Sequence, residues 1–124
     1  MFALTSSCCY YLYRQPTDMR KSFDGLSGIV RSQLRRNATS GEVFIFINNR
    51  RDRIKLLRWE EGGFILYYKR LEAGTLELPS FDSASLTCTM SWAELVMMIE
   101  GISIKNTRRR KRFSKFDRYQ QNRA

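Results

Sequence analysis

Arg50, Arg51, Arg53, Lys55 and Arg58 put five cations within nine positions, and Trp59 follows them directly. Tyr67, Tyr68, Lys69 and Arg70 repeat the mixture of aromatic and basic side chains a few residues later. Such a set can recognise a phosphodiester, because a guanidinium fork matches phosphate oxygens and an aromatic face stacks on a base. The same residues also describe a solvated polar surface over an aromatic core. Strand parity leaves both readings open, since Arg53 and Lys55 share a face with Leu57 and Trp59.

A second basic set closes the chain. Residues 105–124 hold nine bases, among them Arg108, Arg109, Arg110, Lys111 and Arg112, against the single acid Asp117. That segment carries +8 of the net +10, so residues 1–104 are close to neutral at +2. Phe113, Phe116 and Tyr119 recur every three residues among these cations, a pattern that suits folding on contact with DNA or RNA. A solubilising tail with no sequence preference has the same composition.

Catalysis finds less support. A metal-dependent nuclease needs several carboxylates converging on divalent ions. Asp18 and Asp24 stand six apart, and Glu60 and Glu61 fall in an expected turn. Asp18 reads better as a partner for a helix dipole, and Asp24 as a partner for Arg20 or Lys21. The chain has no histidine, which removes His-containing triads and His-ligated metals. Cys8, Cys9 and Cys88 lack the spacing of a zinc site and make a poor disulfide framework, so buried thiols in a reducing cytoplasm are expected. No catalytic residue, metal or cofactor is assigned.

The elements that must position these residues follow from periodicity. With 124 residues and 43% hydrophobic content, the chain has enough material for one core. Its apolar runs are strand-sized and too short to span a bilayer, and no basic segment precedes the short apolar start as a signal peptide would require. Cys8 to Arg14 reads as a first strand. Thr17 is a candidate N-cap for a helix whose apolar face is Met19, Phe23, Leu26, Val30 and Leu34. Gly25 and Gly28 in that helix imply close packing on a sheet. Val43 to Ile47 reads as a central strand, and Arg53 to Trp59 and Phe64 to Leu71 as a hairpin turning at Glu60-Glu61-Gly62-Gly63. A short extended piece follows at Leu76 to Leu78, then a polar loop from Pro79 to Ser85, with Leu86 to Met90 left open. Ser91-Trp92-Ala93-Glu94 matches a capping box, and Trp92, Leu95, Val96, Ile99 and Ile102 give a second helix its apolar face, with Gly101 as its stop. The expected fold is α+β: one domain, residues 1–104, with an antiparallel sheet of about four strands and two helices on one face, followed by a basic tail, 105–124.

Four segments, in order, carry a family resemblance. They are Thr17-Asp18-Met19-Arg20-Lys21-Ser22-Phe23-Asp24-Gly25-Leu26; Gly41 through Phe46 with the Asn49-Arg50-Arg51 turn; Ile54-Lys55-Leu56-Leu57-Arg58-Trp59-Glu60 through Gly63, with Tyr68-Lys69-Arg70-Leu71-Glu72 and Gly74; and Leu95 to Glu100-Gly101-Ile102. Together they resemble the short accessory protein, called TnpB or Orf2, of the sixty-six family of insertion sequences, which is unrelated to the RNA-guided nuclease of the same name. The family usually has glycine at Ser22, an aromatic at Arg58 and tryptophan-proline at Leu78-Pro79. The resemblance spans about Tyr10 to Ile102 and excludes the tail. It implies a bacterial, cytoplasmic, non-catalytic protein encoded by a mobile element and required beside a separate, larger transposase. DNA, as element ends or without sequence preference, and that transposase are the implied partners. DNA contact is expected at Arg50, Arg51, Arg53, Lys55, Arg58, Lys69 and Arg70 and along the tail. The mixed-charge face Asp18, Arg20, Lys21 and Asp24 is expected to dock a partner protein. The alternative is a pure protein-interaction module that docks on the transposase without touching DNA.

Overall fold

Strand and helix alternate early in the chain and then give way to a meander. The computed structural model describes residues 4–79 and 85–102. Strand β1 (Tyr10–Tyr13) leads through helix α1 (Phe23–Ser32) to β2 (Val43–Ile47). Then come β3 (Arg53–Glu60), β4 (Gly63–Arg70), β5 (Thr87–Met90) and helix α2 (Trp92–Glu100). The sheet runs in the order β4-β3-β2-β1-β5. β1 and β2 are parallel, joined by the helical crossover that a parallel pair needs, while β2–β3, β3–β4 and β1–β5 are antiparallel.

The fold is α+β as expected, with a mostly antiparallel sheet that has five strands because Thr87–Met90 adds β5 at its edge. The helices also lie on opposite faces, not on one. Leu26 and Val30 of α1 pack with Phe44, Phe46 and Leu57, whereas Leu95 and Met98 of α2 pack with Val43, Ile45, Ile54 and Leu56. Side-chain alternation produces this division. All five residues of β2 are buried, so this strand supplies core to both sides, and its unbroken apolar run is the sequence mark of a two-sided strand.

α2 begins as its capping box predicts. The Ser91 hydroxyl accepts from the Glu94 amide at 3.1 Å, and the Glu94 carboxylate accepts from the Ser91 amide at 2.9 Å. Gly101 ends the helix in the left-handed conformation at φ 81°. Its buried positions are Leu95 and Met98, with Ile99 against them, while Trp92 is 40% exposed. Glu61-Gly62 makes the β3–β4 turn, with Gly62 at φ 91°. Leu76 is fully buried, but 76–78 is not a strand.

α1 starts at Phe23, six residues after the N-cap expected at Thr17. Ser22 occupies the N-cap without a side-chain hydrogen bond. Phe23, expected in the core, is 43% exposed. Gly25 does not approach the sheet: a Cβ there would lie 3.1 Å from that of Lys21, and one on Gly28 would meet open space. Cys8 and Cys88 are half-buried and Cys9 is exposed, so the expectation of three buried thiols does not hold. All three are free.

Candidate nucleic-acid interface

The β2–β3 turn is built around Asn48. Its side-chain oxygen accepts from the amides of Asp52 and Arg53, both at 3.0 Å, and its amide nitrogen donates to the Asp52 carboxylate at 2.6 Å. Arg51 takes the left-handed conformation at φ 59°, uncommon for a residue with a side chain. Its amide donates to the Asn48 carbonyl, and its own carbonyl accepts from the amide of Leu76 at 2.7 Å. The main chain of the turn is thus pinned, and the side chains of Arg50 and Arg51 stand in solvent.

Register fixes the remaining cations. Arg53 lies directly opposite Arg70 across β3–β4. Residues paired in this way share a face, with Cβ atoms roughly 5 Å apart, where two like charges repel. The Arg53 guanidinium donates to the Tyr68 hydroxyl at 3.2 Å, and Arg70 forms an exposed ion pair with Glu72 at 2.8 Å. Arg50, Arg51, Arg53 and Arg70 therefore gather at one end of the sheet.

The other expected members separate. Lys69 is opposite Ile54 and belongs to the α2 face. Arg58 lies on that same face toward the far end of β3, near Glu60 at 3.9 Å, beside a groove of about 410 Å³ that also includes Cys8 and Glu42. Trp59 is at that far end too, edge-on to Phe64 with ring centroids 5.0 Å apart. The cations along β3 cannot form one surface, because alternate side chains leave on opposite faces.

Lys55 departs most from expectation. It is 5% exposed, which takes it out of any surface patch. Its ammonium donates to the carbonyls of Lys21 at 2.7 Å and Met19 at 2.8 Å and sits 4.5 Å from the centre of the Tyr68 ring. Three N–H donors thus meet two carbonyls and a π face, which compensates the burial of the charge. The sequence carries one signal of this role: Lys55 shares strand parity with the buried Leu57.

This clamp explains why residues 17–22 are not helical. The Thr17 amide donates to the Ile47 carbonyl at 2.9 Å, tying the segment to the end of β2. The Asp18 carboxylate accepts from the amide of Arg20 and also pairs with its guanidinium at 2.7 Å. With the Met19 and Lys21 carbonyls held by Lys55, the segment's polar groups are satisfied outside a helix. The bonds from Arg20 hold the Asp18 carboxyl down at about 2. Among the described residues Asp24 forms no ion pair, and Arg20 pairs with Asp18 instead.

The clamped segment and the basic turn border one groove of about 320 Å³, lined by Asp18, Met19, Asn49, Arg50 and Arg53 among others. The expected docking face and the expected DNA patch are therefore neighbours. Asp18, Arg20, Lys21 and Asp24 are all exposed. Among the described residues no three His, Cys, Asp or Glu side chains group so as to hold a metal ion. No helix among them is long and apolar enough to cross a membrane. Arg108, Arg109, Arg110, Lys111 and Arg112 lie outside the described residues.

The family described as IS66 Orf2 like protein matches residues 8–109. The chain belongs to this family. The match takes in the clamped segment, the basic turn and the hairpin, and it extends past Ile102 to include Arg108 and Arg109. Membership gives this IS66 Orf2-like protein an accessory role associated with transposition. Two similar proteins come from Sinorhizobium fredii (strain NBRC 101917 / NGR234). Uncharacterized protein y4jC is 31% identical over 96 residues, 77% of this chain and 80% of that protein. Uncharacterized protein y4hO is 32% identical over 87 residues, 69% of this chain and 73% of that protein. No solved structure matches the chain.

Proposed function

We propose that this protein binds the phosphate backbone of DNA through Arg50, Arg51, Arg53 and Arg70, as a non-catalytic partner of its element's transposase in the bacterial cytoplasm. The observation that carries the reading is the Arg53–Arg70 cross-strand pair beside the turn bearing Arg50 and Arg51. Arg53 and Arg70 face each other beside the exposed Arg50 and Arg51, with Glu72 as the acid paired to Arg70, and a phosphate can be shared among their donors. Residues 105–124, including the Arg108–Arg112 run, add electrostatic attraction. Lys69 and Arg58 approach DNA only if it wraps beyond this rim, and Lys55 takes no part. The test is the salt dependence of duplex binding by the intact chain and by a variant lacking the rim arginines.

A second reading is favoured by Phe23. This ring is 43% exposed at the start of α1, flanked by Arg20, Lys21 and Asp24. An exposed aromatic within a mixed-charge rim suits a protein partner, here the transposase. On this reading Phe23→Ser abolishes co-purification with the transposase and leaves DNA affinity unchanged. Retained co-purification contradicts it.

A further inference from the structure

β4 forms one edge of the sheet, and among the described residues no strand pairs with its outer side. This edge is eight residues long, and Phe64, Ile65, Leu66 and Tyr67 are all only partly buried. Long apolar edges expose unpaired main-chain donors and acceptors, and proteins ordinarily blunt them with charge, proline or bulges. Here the charge is confined to one end, at Lys69 and Arg70, while the opposite end leads into the Glu60-Glu61 turn. The other edge, β5, has four residues.

We propose that the β4 edge pairs with β4 of a second copy of this chain, antiparallel and centred on Leu66, making a continuous ten-stranded sheet. The charge distribution selects the orientation. A parallel arrangement would stack Lys69 and Arg70 on their own counterparts, whereas an antiparallel one carries each basic end toward the other copy's acidic turn. Symmetry then restricts the register. A two-fold axis normal to the sheet pairs only residues of the same parity, so the centre falls on a residue and not between two. Centring on Leu66 places Phe64 opposite Tyr68, Ile65 opposite Tyr67 and Lys69 opposite Gly63. Aromatic and branched side chains thus meet across the seam, a favourable type of cross-strand pair. Arg70 arrives at the other copy's Gly62, next to Glu61. Centring one residue later would set Lys69 on Ile65 and Arg70 on Phe64, away from any acid.

In this dimer the two arginine rims lie at opposite ends of the seam on the same face of the sheet. One protein would then present two DNA-contacting ends, an arrangement suited to a pair of sites.

Sedimentation of the full-length chain, followed from micromolar to submillimolar concentration, tests the proposal. A concentration-dependent dimer is expected. Arg70→Glu and Glu61→Arg should each weaken it about tenfold, since each creates two like-charge contacts per dimer. The double variant Arg70→Glu/Glu61→Arg should restore it. Both positions are exposed, so the fold tolerates them, and recovery in the double variant separates a contact from a folding defect. A chain that stays monomeric, as it would if its own basic tail covered the edge, overturns the proposal. Single variants that dimerise like the wild type, or a double variant as weak as the singles, also overturn it.

Discussion

The ammonium of Lys55 donates to the main-chain carbonyl of Lys21 at 2.7 Å, joining the middle of the sheet to the segment that leads into α1. Through this bond and its companion to Met19, a residue read as part of a DNA-binding surface becomes the anchor of the neighbouring loop. The arginine rim and the Asp18–Arg20 pair hold their relative positions because Lys55 lies beneath both.

Lys55→Met is therefore expected to act on stability. It keeps most of the buried aliphatic stem but leaves two carbonyls without their charged donor, at a cost of about 2–4 kcal/mol. Urea denaturation followed by circular dichroism measures that loss, and limited proteolysis should find 17–22 newly cleavable. A variant as stable as the wild type contradicts the clamp.

Asp18 provides a pH signature. Its carboxyl is held at about 2 by hydrogen bonds from Arg20, below the ordinary value near 3.8. A depressed folded value means the contribution is present above the unfolded carboxyl range and disappears as pH falls from about 3.8 to about 2. Carboxyl NMR should show Asp18 titrating at about 2, and Arg20→Ala should return it toward the ordinary range. An Asp18 midpoint unmoved by Arg20→Ala would sink this assignment.

The capping box at the start of α2 gives a local control. Ser91→Ala removes the acceptor for the Glu94 amide and should lower stability by about 1 kcal/mol without changing DNA affinity. Thermal unfolding together with a binding isotherm reports both quantities. A loss of DNA affinity would mean that α2 takes part in binding.

Much of the framework was legible in sequence because it depends on local signals. The capping box at Ser91 and Glu94, the Gly62 turn and the continuous apolar run of β2 each report a nearby main-chain requirement. What sequence misjudged depended on distant partners. Met19 and Phe23 fit a helical period, yet Lys55, more than thirty residues away in sequence, holds the Met19 carbonyl outside a helix. The cations from Arg50 to Arg58 form a cluster on paper only. Strand alternation sends Arg53 and Arg58 to opposite faces, and register brings in Arg70. The placement of the helices on both faces was implicit in β2, whose five consecutive apolar residues leave no polar side.

The most direct measurement is the salt dependence of duplex DNA binding by the full-length chain and by the triple variant Arg50→Ala/Arg53→Ala/Arg70→Ala. Each phosphate neutralised contributes roughly −0.9 to the log–log slope. The intact chain should bind with a steep negative slope, and the triple variant should lose about 2–3 of it, with the rest contributed by Arg51 and the tail. A slope near zero for the intact chain, or the same slope for both proteins, would contradict DNA binding at the arginine rim.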